Sequence, residues 1–426
     1  MAQTHFRNVL VIDGTGAAGF AGEVLVEGNR IREVGPRVAA SPGAHIVDGA
    51  GAVLMPGLIE SHSHLSFLDA PDLESLGFVP VEEHLLRTLK NAKKMLDQGF
   101  TTCISAAAAK PRLDIVLRNT IDAGDHPGPR TLAATPELTV SGGLGDVNLW
   151  HMQRSTFALV CNGADEFRKV AREMVREGVD TLKINPSGDE FVPHSRAAQT
   201  VMTEAEIAAV CEVGHAHGKV VAAHARSAGA VKLCVKHGVE RIYHATLCDD
   251  EALQALVDAK DRVFVSPTLG ITMATLYEAA PWGLSTEAAE NMGMKRELDI
   301  GIINMKKLKA AGVRLLPGGD YGFAWNPIGR DARDLEHFVN LLGFTPLEAI
   351  RAATELGGQM FGRGDLGLVR AGCLADLLLV DGDPSVDVTV LQDASRLLGI
   401  MKDGRFHKAP TTRGSAHVSG IGASRS

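Results

Sequence analysis

The sequence predicts an α/β fold: a parallel (β/α)8 TIM barrel with a small discontinuous β-sandwich domain formed by both chain ends. Three observations predict it. Short apolar β runs alternate with helical segments from residue 53 to about residue 360. Eight such runs can be counted, and a parallel βα series of that length favours a barrel over an open doubly wound sheet. At both ends the pattern changes to short strands separated by turns, the mark of a small β-sheet or sandwich.

The elements follow in order. Strands are predicted at 8–13, 23–26, 30–34 and 45–48, parted by Gly14-Thr15-Gly16 and Glu27-Gly28-Asn29. The apolar run 53–59, through Pro56-Gly57, starts the barrel. Residues 81–96 carry apolar side chains near i, i+4 and i+7, an amphipathic helix that ends at Gln98-Gly99. The other seven barrel strands are predicted at 100–105, 131–134, 181–185, 219–224, 241–245, 262–266 and 313–317. Helices are predicted at 164–177, 204–217, 228–237, 249–259 and 291–311. Gly178, Gly218, Gly238 and Gly312 stand between a helix and the next strand, the position that favours a left-handed residue. A capped helix opens at Pro346, and strands return at 374–380 and 397–402. From Ala409 the chain is rich in Ser, Gly, Ala, Thr and Arg without period, read as a flexible tail. There is no internal repeat. The division is therefore 1–57 plus 363–408 for the sandwich, 58–362 for the barrel and 409–426 for the tail.

Composition narrows the function classes. A chain of 426 residues with 45% hydrophobic and 22% charged residues is globular, with ample core. The 46 glycines have no collagen period and point to tight turns and close backbone approaches. A net charge of −8 lacks the basic stripe of a nucleic-acid binder. No apolar run reaches membrane-spanning length, and the N-terminus has no basic region followed by an apolar stretch. The six cysteines, at 103, 161, 211, 234, 248 and 373, are scattered without a CxxC. They read as reduced, buried thiols, so a cytoplasmic location is expected.

The chemistry gathers at strand ends. Ile59-Glu60-Ser61-His62-Ser63-His64-Leu65 closes the first barrel strand. In a strand, residues i and i+2 share a face, so His62 and His64 either present two imidazoles to one ion or form a surface pair in a loop. Lys183 lies within Thr181-Leu182-Lys183-Ile184, where a buried ammonium needs an acid partner or a modification. Carbamylation would make it an anionic bridge between two metals. His224 and His244 end neighbouring strands, one βα unit apart, as metal ligands or as hydrogen-bonded core residues. Asp320 follows Pro317-Gly318-Gly319 and is either a proton acceptor near a metal-activated water or an ordinary loop acid. All six fall at the C-terminal ends of the first, fourth, fifth, sixth and eighth barrel strands, the rim where barrel active sites form.

HxH, Lys, His, His and Asp in this order, together with Gly372-Cys373-Leu374-Ala375-Asp376-Leu377 (a G-x-x-ADL motif), resemble the amidohydrolase superfamily of metal-dependent hydrolases over nearly the whole chain. Gly128-Pro129-Arg130, the stretch 141–146 (SGGLGD) and the stretch 178–184 (GVDTLKI) are similar to its prolidase-like and imidazolonepropionase-related branch. Residues 318–325 (GGDYGFAW) resemble the bacterial phenylurea and molinate hydrolases.

The resemblance implies one or two divalent ions, zinc foremost, with cobalt or manganese as alternatives. His62 and His64, with Asp320, would hold the more buried ion. His224 and His244 would hold the other, with carbamylated Lys183 bridging. Metal-activated hydroxide would attack an amide, urea or carbamate carbonyl. Asp320 is the general acid/base, and His244 is counted with it among the catalytic residues. The chain departs from the branch at Leu144, where relatives carry His in a GGHGD motif. It departs again at Arg226-Ser227, where His-Gly is usual, and at Ile104-Ser105-Ala106, where an acid is common. These changes favour a less polar substrate than a dipeptide. Phe67, Leu144, Tyr243, Phe323 and Trp325 line an apolar wall or pack ordinarily. Arg226 binds a substrate carboxylate or carbonyl, or makes a rim salt bridge.

The leading expectation is a metal-dependent hydrolase of a C–N bond in a small, fairly apolar amide, urea or carbamate. The alternatives are an Xaa-Pro or related dipeptidase, an N-acyl amino acid hydrolase or a heterocycle deaminase. A non-catalytic relative would lack some of the six residues. Expected partners are a small-molecule substrate and further copies of the chain, a homo-oligomer as in relatives, with no nucleic acid and no membrane.

Overall fold

The structure is a computed structural model, which describes residues 2–154 and 156–410. Both chain ends contribute to one sheet. Its strands are Gln3–Val11 (β1), Phe20–Glu27 (β2), Arg30–Gly35 (β3), His45–Asp48 (β4), Val53–Pro56 (β5), Leu377–Val380 (β15), Leu397–Lys402 (β16) and Arg405–Lys408 (β17). They run in the order β17-β16-β15-β5-β1-β2-β3, and the antiparallel pairing of β15 on β5 joins the two ends. The sheet forks at β1, where β4 pairs along Thr4–Arg7 and β5 along Leu10–Val11. The sequence predicts a sandwich. The hydrogen bonding makes one continuous forked sheet, in which β5 carries the N-terminal strands directly onto the C-terminal ones, and its two halves face one another, with the rings of Phe6 on β1 and Phe406 on β17 6.1 Å apart. Phe6, Val24, Val26, Ile31, Leu54 and Leu377 share its apolar core. The tail expected at 409–426 lies, beyond Pro410, outside the described residues.

The apolar run 53–59 is not one strand. It breaks at Gly57, and Leu58–Ser63 (β6) leaves the first sheet to pair in parallel with Phe100–Ser105 (β7), followed by Arg130–Leu132 (β8). A Cβ on Gly57 would lie 2.2 Å from Thr101 Oγ1, so only glycine lets the chain pass from one sheet to the other here. The remaining strands are Glu137–Thr139 (β9), Ala158–Val160 (β10), Thr181–Ile184 (β11), Val220–Ser227 (β12), Arg241–Leu247 (β13) and Phe264–Ser266 (β14). They form a parallel sheet in the order β10-β9-β11-β12-β13-β14.

Single parallel bridges link these two sheets. Ala134 pairs with Thr181 on one side, and Val265 with Leu315 and Ser63 with Tyr321 on the other. Asp320 N donates to His62 O at 3.0 Å and His64 N to Tyr321 O at 2.8 Å. The strand expected at 313–317 is therefore reduced to one bridge. Pro317 has no N–H to give, and Gly318 N donates to the Asp334 carboxylate at 2.9 Å instead of to a neighbouring strand.

The helices Ala164–Glu177 and Ala228–His237 lie where the apolar period places them, and Gly178, Gly218, Gly238 and Gly312 all have positive φ. Helices Leu113–Asp122, Leu269–Tyr277 and Arg333–Leu342 add to those expected. Leu182, Val221, Ile242 and Val265 share a core with the helix residues Val210, Val231 and Leu256. Among the described residues, no helix is long and apolar enough to cross a membrane.

Candidate metal centre

His62 lies at the end of β6 and His64 just beyond it, and their Nε2 atoms lie 3.3 and 3.1 Å from Asp320 Oδ1. All three residues are buried. Burial holds the His62 imidazole down at about 4, against the pull of Asp320, so it is neutral at pH 7. Burial alone would raise the Asp320 carboxyl. Its interactions with His62 and His64 outweigh that and hold it well below the usual carboxylate range. His64 Nδ1 lies 3.2 Å from Ala107 O, a pure acceptor, so Nδ1 carries a proton and donates it there. Its Nε2 faces the Asp320 carboxylate.

His244 shows the same logic. Its Nδ1 is 2.5 Å from Thr268 Oγ1, which itself donates to Pro267 O at 2.8 Å. Thr268 has spent its proton, so the imidazole donates from Nδ1 and keeps a lone pair on Nε2. That Nε2 is buried and has no hydrogen-bond partner. In β12, the ring of His224 donates from Nε2 to Gly188 O at 3.1 Å, leaving Nδ1 unprotonated. Burial keeps both imidazoles well below the ordinary histidine value. The rings of His224 and His244 are 4.3 Å apart, those of His62 and His244 5.4 Å. Donor atoms of His62, His244 and Asp320 lie within 4.8 Å of one another. The donor set suits a divalent metal ion.

The backbone is bent to achieve this. Regular alternation places His224 on the face of Ala222 and would turn His244 to the face of Ile242. Between the pairs Ala225–His244 and Ser227–Leu247, β13 carries one residue more than β12. His244 and Ala245 sit at φ 74° and 51° there, a bulge that re-aims the imidazole. Asp320 and Thr268 also have positive φ, 61° and 57°. Four non-glycine residues in this region mark a strained site held by its surroundings.

Lys183, on β11, is fully buried, with Nζ 3.7 Å from Glu137 Oε1 and 5.1 Å from the Tyr243 ring centroid. Burial lowers its pKa, opposed by Glu137. The acid partner that one reading of the sequence requires is thus present.

A cavity of about 550 Å³ opens over the cluster. His62, His64, Lys183, His224 and Asp320 line it, as do Leu144, Arg226, Phe323 and Trp325. Phe67 stacks on His64 with centroids 4.0 Å apart, and its ring meets Phe157 and Phe323 edge-on at 5.2 and 5.8 Å. Tyr243, expected on this wall, is instead fully buried under His62, centroids 4.0 Å apart, and is not among the lining residues. The side-chain alternation of β13 turns it into the interior layer shared by Ile59, Ala222 and Phe264. Arg226 is no free guanidinium. Its Nε is 2.8 Å from Asp189 Oδ2, and its Nη1 donates to Glu297 Oε1 at 2.5 Å. Those two acids outweigh the burial that would lower its pKa, and hold it above the ordinary value.

Glu137, Asp189, Glu297 and Thr268 emerge only from the structure. Glu137 and Asp189 had a signal, since each is an acid a few residues beyond a strand that the sequence predicts, 131–134 and 181–185. Glu297 lies inside the helix Met294–Ala310 and had none.

The Amidohydrolase family model matches residues 53–406. Ochratoxinase of Aspergillus niger is 24% identical over 384 residues, 84% of this chain and 76% of its own. Imidazolonepropionase of Ectopseudomonas mendocina is 25% identical over 423 residues, 92% and 94% of the two chains. The structure of a prolidase complexed with N-methylphosphonate-L-proline has TM-score 0.85 and 27% identity, covering 96% of this chain and 100% of that one. Phenylurea hydrolase B, at TM-score 0.77 and 23% identity over 95% and 96% of the two chains, is similar in fold.

Proposed function

This chain belongs to the amidohydrolase family, and from that premise we propose that it hydrolyses a C–N bond in a small, largely apolar amide, urea or carbamate. The parallel pairings that return onto β6 are read as a closed (β/α)8 barrel, with 1–57 and 363–408 as a second domain. His62, His64 and Asp320 would hold one divalent ion and His224 and His244 another. Zinc suits the ligands best, with cobalt or manganese as alternatives, and carbamylated Lys183 would bridge. The observation that carries the reading is the buried lone pair on His244 Nε2, fixed by the hydrogen bond at Nδ1 and left without a partner beside His62 and Asp320.

When bound, such an ion polarises the carbonyl and lowers the pKa of a water. The chain's own residues do the rest. Asp320, ionised on the cavity floor, takes a proton from the attacking water and passes it to the leaving nitrogen. Phe67, Leu144, Phe157, Phe323 and Trp325 form an apolar enclosure for the substrate and exclude bulk water. Arg226, already paired with two carboxylates, is not placed to recruit a substrate carboxylate. The names of the relatives span ochratoxin, imidazolone, proline-containing and phenylurea substrates, so the bond class is proposed and not a single compound. Six buried, unpaired thiols support a reducing compartment, the cytoplasm.

The test is a panel of aryl amides, phenylureas, thiocarbamates, N-acyl amino acids and Xaa-Pro dipeptides, assayed with and without a chelator. Turnover of a C–N substrate that is lost on chelation and restored by zinc is expected. Activity that survives full metal removal overturns the proposal, and turnover of Xaa-Pro alone selects the dipeptidase alternative.

A further inference from the structure

Arg226, Asp189 and Glu297 form an ion triad with exposures of 3%, 4% and 2%. A buried triad contributes little net stability, because desolvation offsets the attraction. Its placement is more telling than its strength. Arg226 follows His224 by two residues on β12, and Thr246 follows His244 by two on β13. The Arg226 guanidinium and the Thr246 hydroxyl both donate to the same oxygen, Glu297 Oε1, at 2.5 and 2.6 Å. One carboxylate oxygen on a helix therefore ties together the ends of the two strands that carry the histidines. It does so beside the bulge that turns His244 inward. The other acid, Asp189, lies with Oδ2 3.6 Å from His224 Nε2, beside the carbonyl that orients that ring. The two acids pair with the one cation that stands beside both imidazoles.

We propose that Glu297 is a positioning residue for the metal centre. Through Arg226 and Thr246 it fixes His224 and His244 relative to one another. With Asp189 it offsets the positive charge of Arg226, which would otherwise oppose a cation there. The inference rests on the metal-dependent reading above.

The experiment is equilibrium dialysis of the metal-free full-length protein against Zn2+ and Co2+, with the visible Co2+ spectrum as a second readout. Glu297→Gln keeps the shape and a hydrogen-bonding oxygen but removes the charge. Thr246→Val cuts the second tie without touching a charge. Asp299→Asn, an exposed acid on the same helix paired with Lys295, is the control. Glu297→Gln is expected to weaken the ion on His224 and His244 by about 10–100-fold, the range for loss of a partner behind a metal ligand. It should also change the Co2+ spectrum. Thr246→Val should weaken the same ion less, and Asp299→Asn should match wild type. If Glu297→Gln fails to fold, Thr246→Val decides alone. Wild-type protein that holds no ion overturns the metal reading, and this inference with it. Wild type that holds metal, beside folded variants of unchanged affinity and spectrum, overturns the inference alone.

Discussion

Thr268→Val isolates one hydrogen bond. Thr268 is fully buried, and valine copies its shape, including the branch at Cβ, so the strain at φ 57° carries over unchanged. What valine lacks is the oxygen. In the wild type that oxygen donates to Pro267 O and accepts from His244 Nδ1–H, which leaves His244 Nε2 unprotonated. The variant has two courses. The ring keeps its proton on Nδ1 and leaves a buried donor unsatisfied, at about 1–3 kcal/mol. Otherwise the proton moves to Nε2, and the lone pair no longer faces the cluster. Both weaken the ion. Loss of such a partner typically costs about 10–100-fold in metal affinity, which is about 1.4–2.7 kcal/mol. Titration of the metal-free protein against a chromogenic chelator measures this directly, and thermal unfolding without metal separates it from any loss of fold. A Thr268→Val protein that binds zinc within about twofold of wild type refutes the tautomer argument.

Asp320→Asn should lower turnover by about 10²–10⁴-fold with much less effect on KM, read from steady-state kinetics; unchanged kcat removes Asp320 from proton transfer. Lys183→Ala should lose one ion by elemental analysis and be partly rescued by short carboxylic acids; full activity with no rescue needed ends the bridging role. Asp114, fully buried, has its carboxyl pushed up to about 6 by burial, against hydrogen bonds from Ser105 and Ala134 N. Its folded value exceeds the unfolded value of about 3.9, so its stabilising contribution is complete below about pH 4 and is lost as pH rises through 6. Asp114→Asn, which mimics the protonated form, should therefore gain on wild type by up to about 3 kcal/mol between pH 4 and 7 in urea unfolding. A pH-independent difference refutes this.

What the sequence makes legible follows from how local each cause is. The spacing of His62 and His64 is a strand period, and the glycines between helices and strands answer a local need for positive φ. Both can be read without knowing any neighbour. The break at Gly57 is half local: Pro56-Gly57 announces it, but the reason is Thr101, a residue on the adjoining strand. The partners of the site are wholly non-local. Arg226 looks like a free anion binder in the sequence because Glu297, which neutralises it, is 71 positions away within a helix of ordinary composition. Tyr243 looks like a wall residue because it adjoins His244, yet the two face opposite ways until the bulge in β13 turns only the histidine. The same bulge explains why alternation predicts that the ligands exist but not how they aim. His244, Ala245, Thr268 and Asp320 are non-glycine residues at positive φ, and no sequence signal marks that state. Such strain persists only where surrounding contacts impose it. Here those contacts include the Thr268 hydroxyl on His244 and the Glu297 carboxylate on Thr246. The aim of the histidines thus belongs to residues outside the ligand set, and substitutions there should disturb metal binding before they disturb the fold.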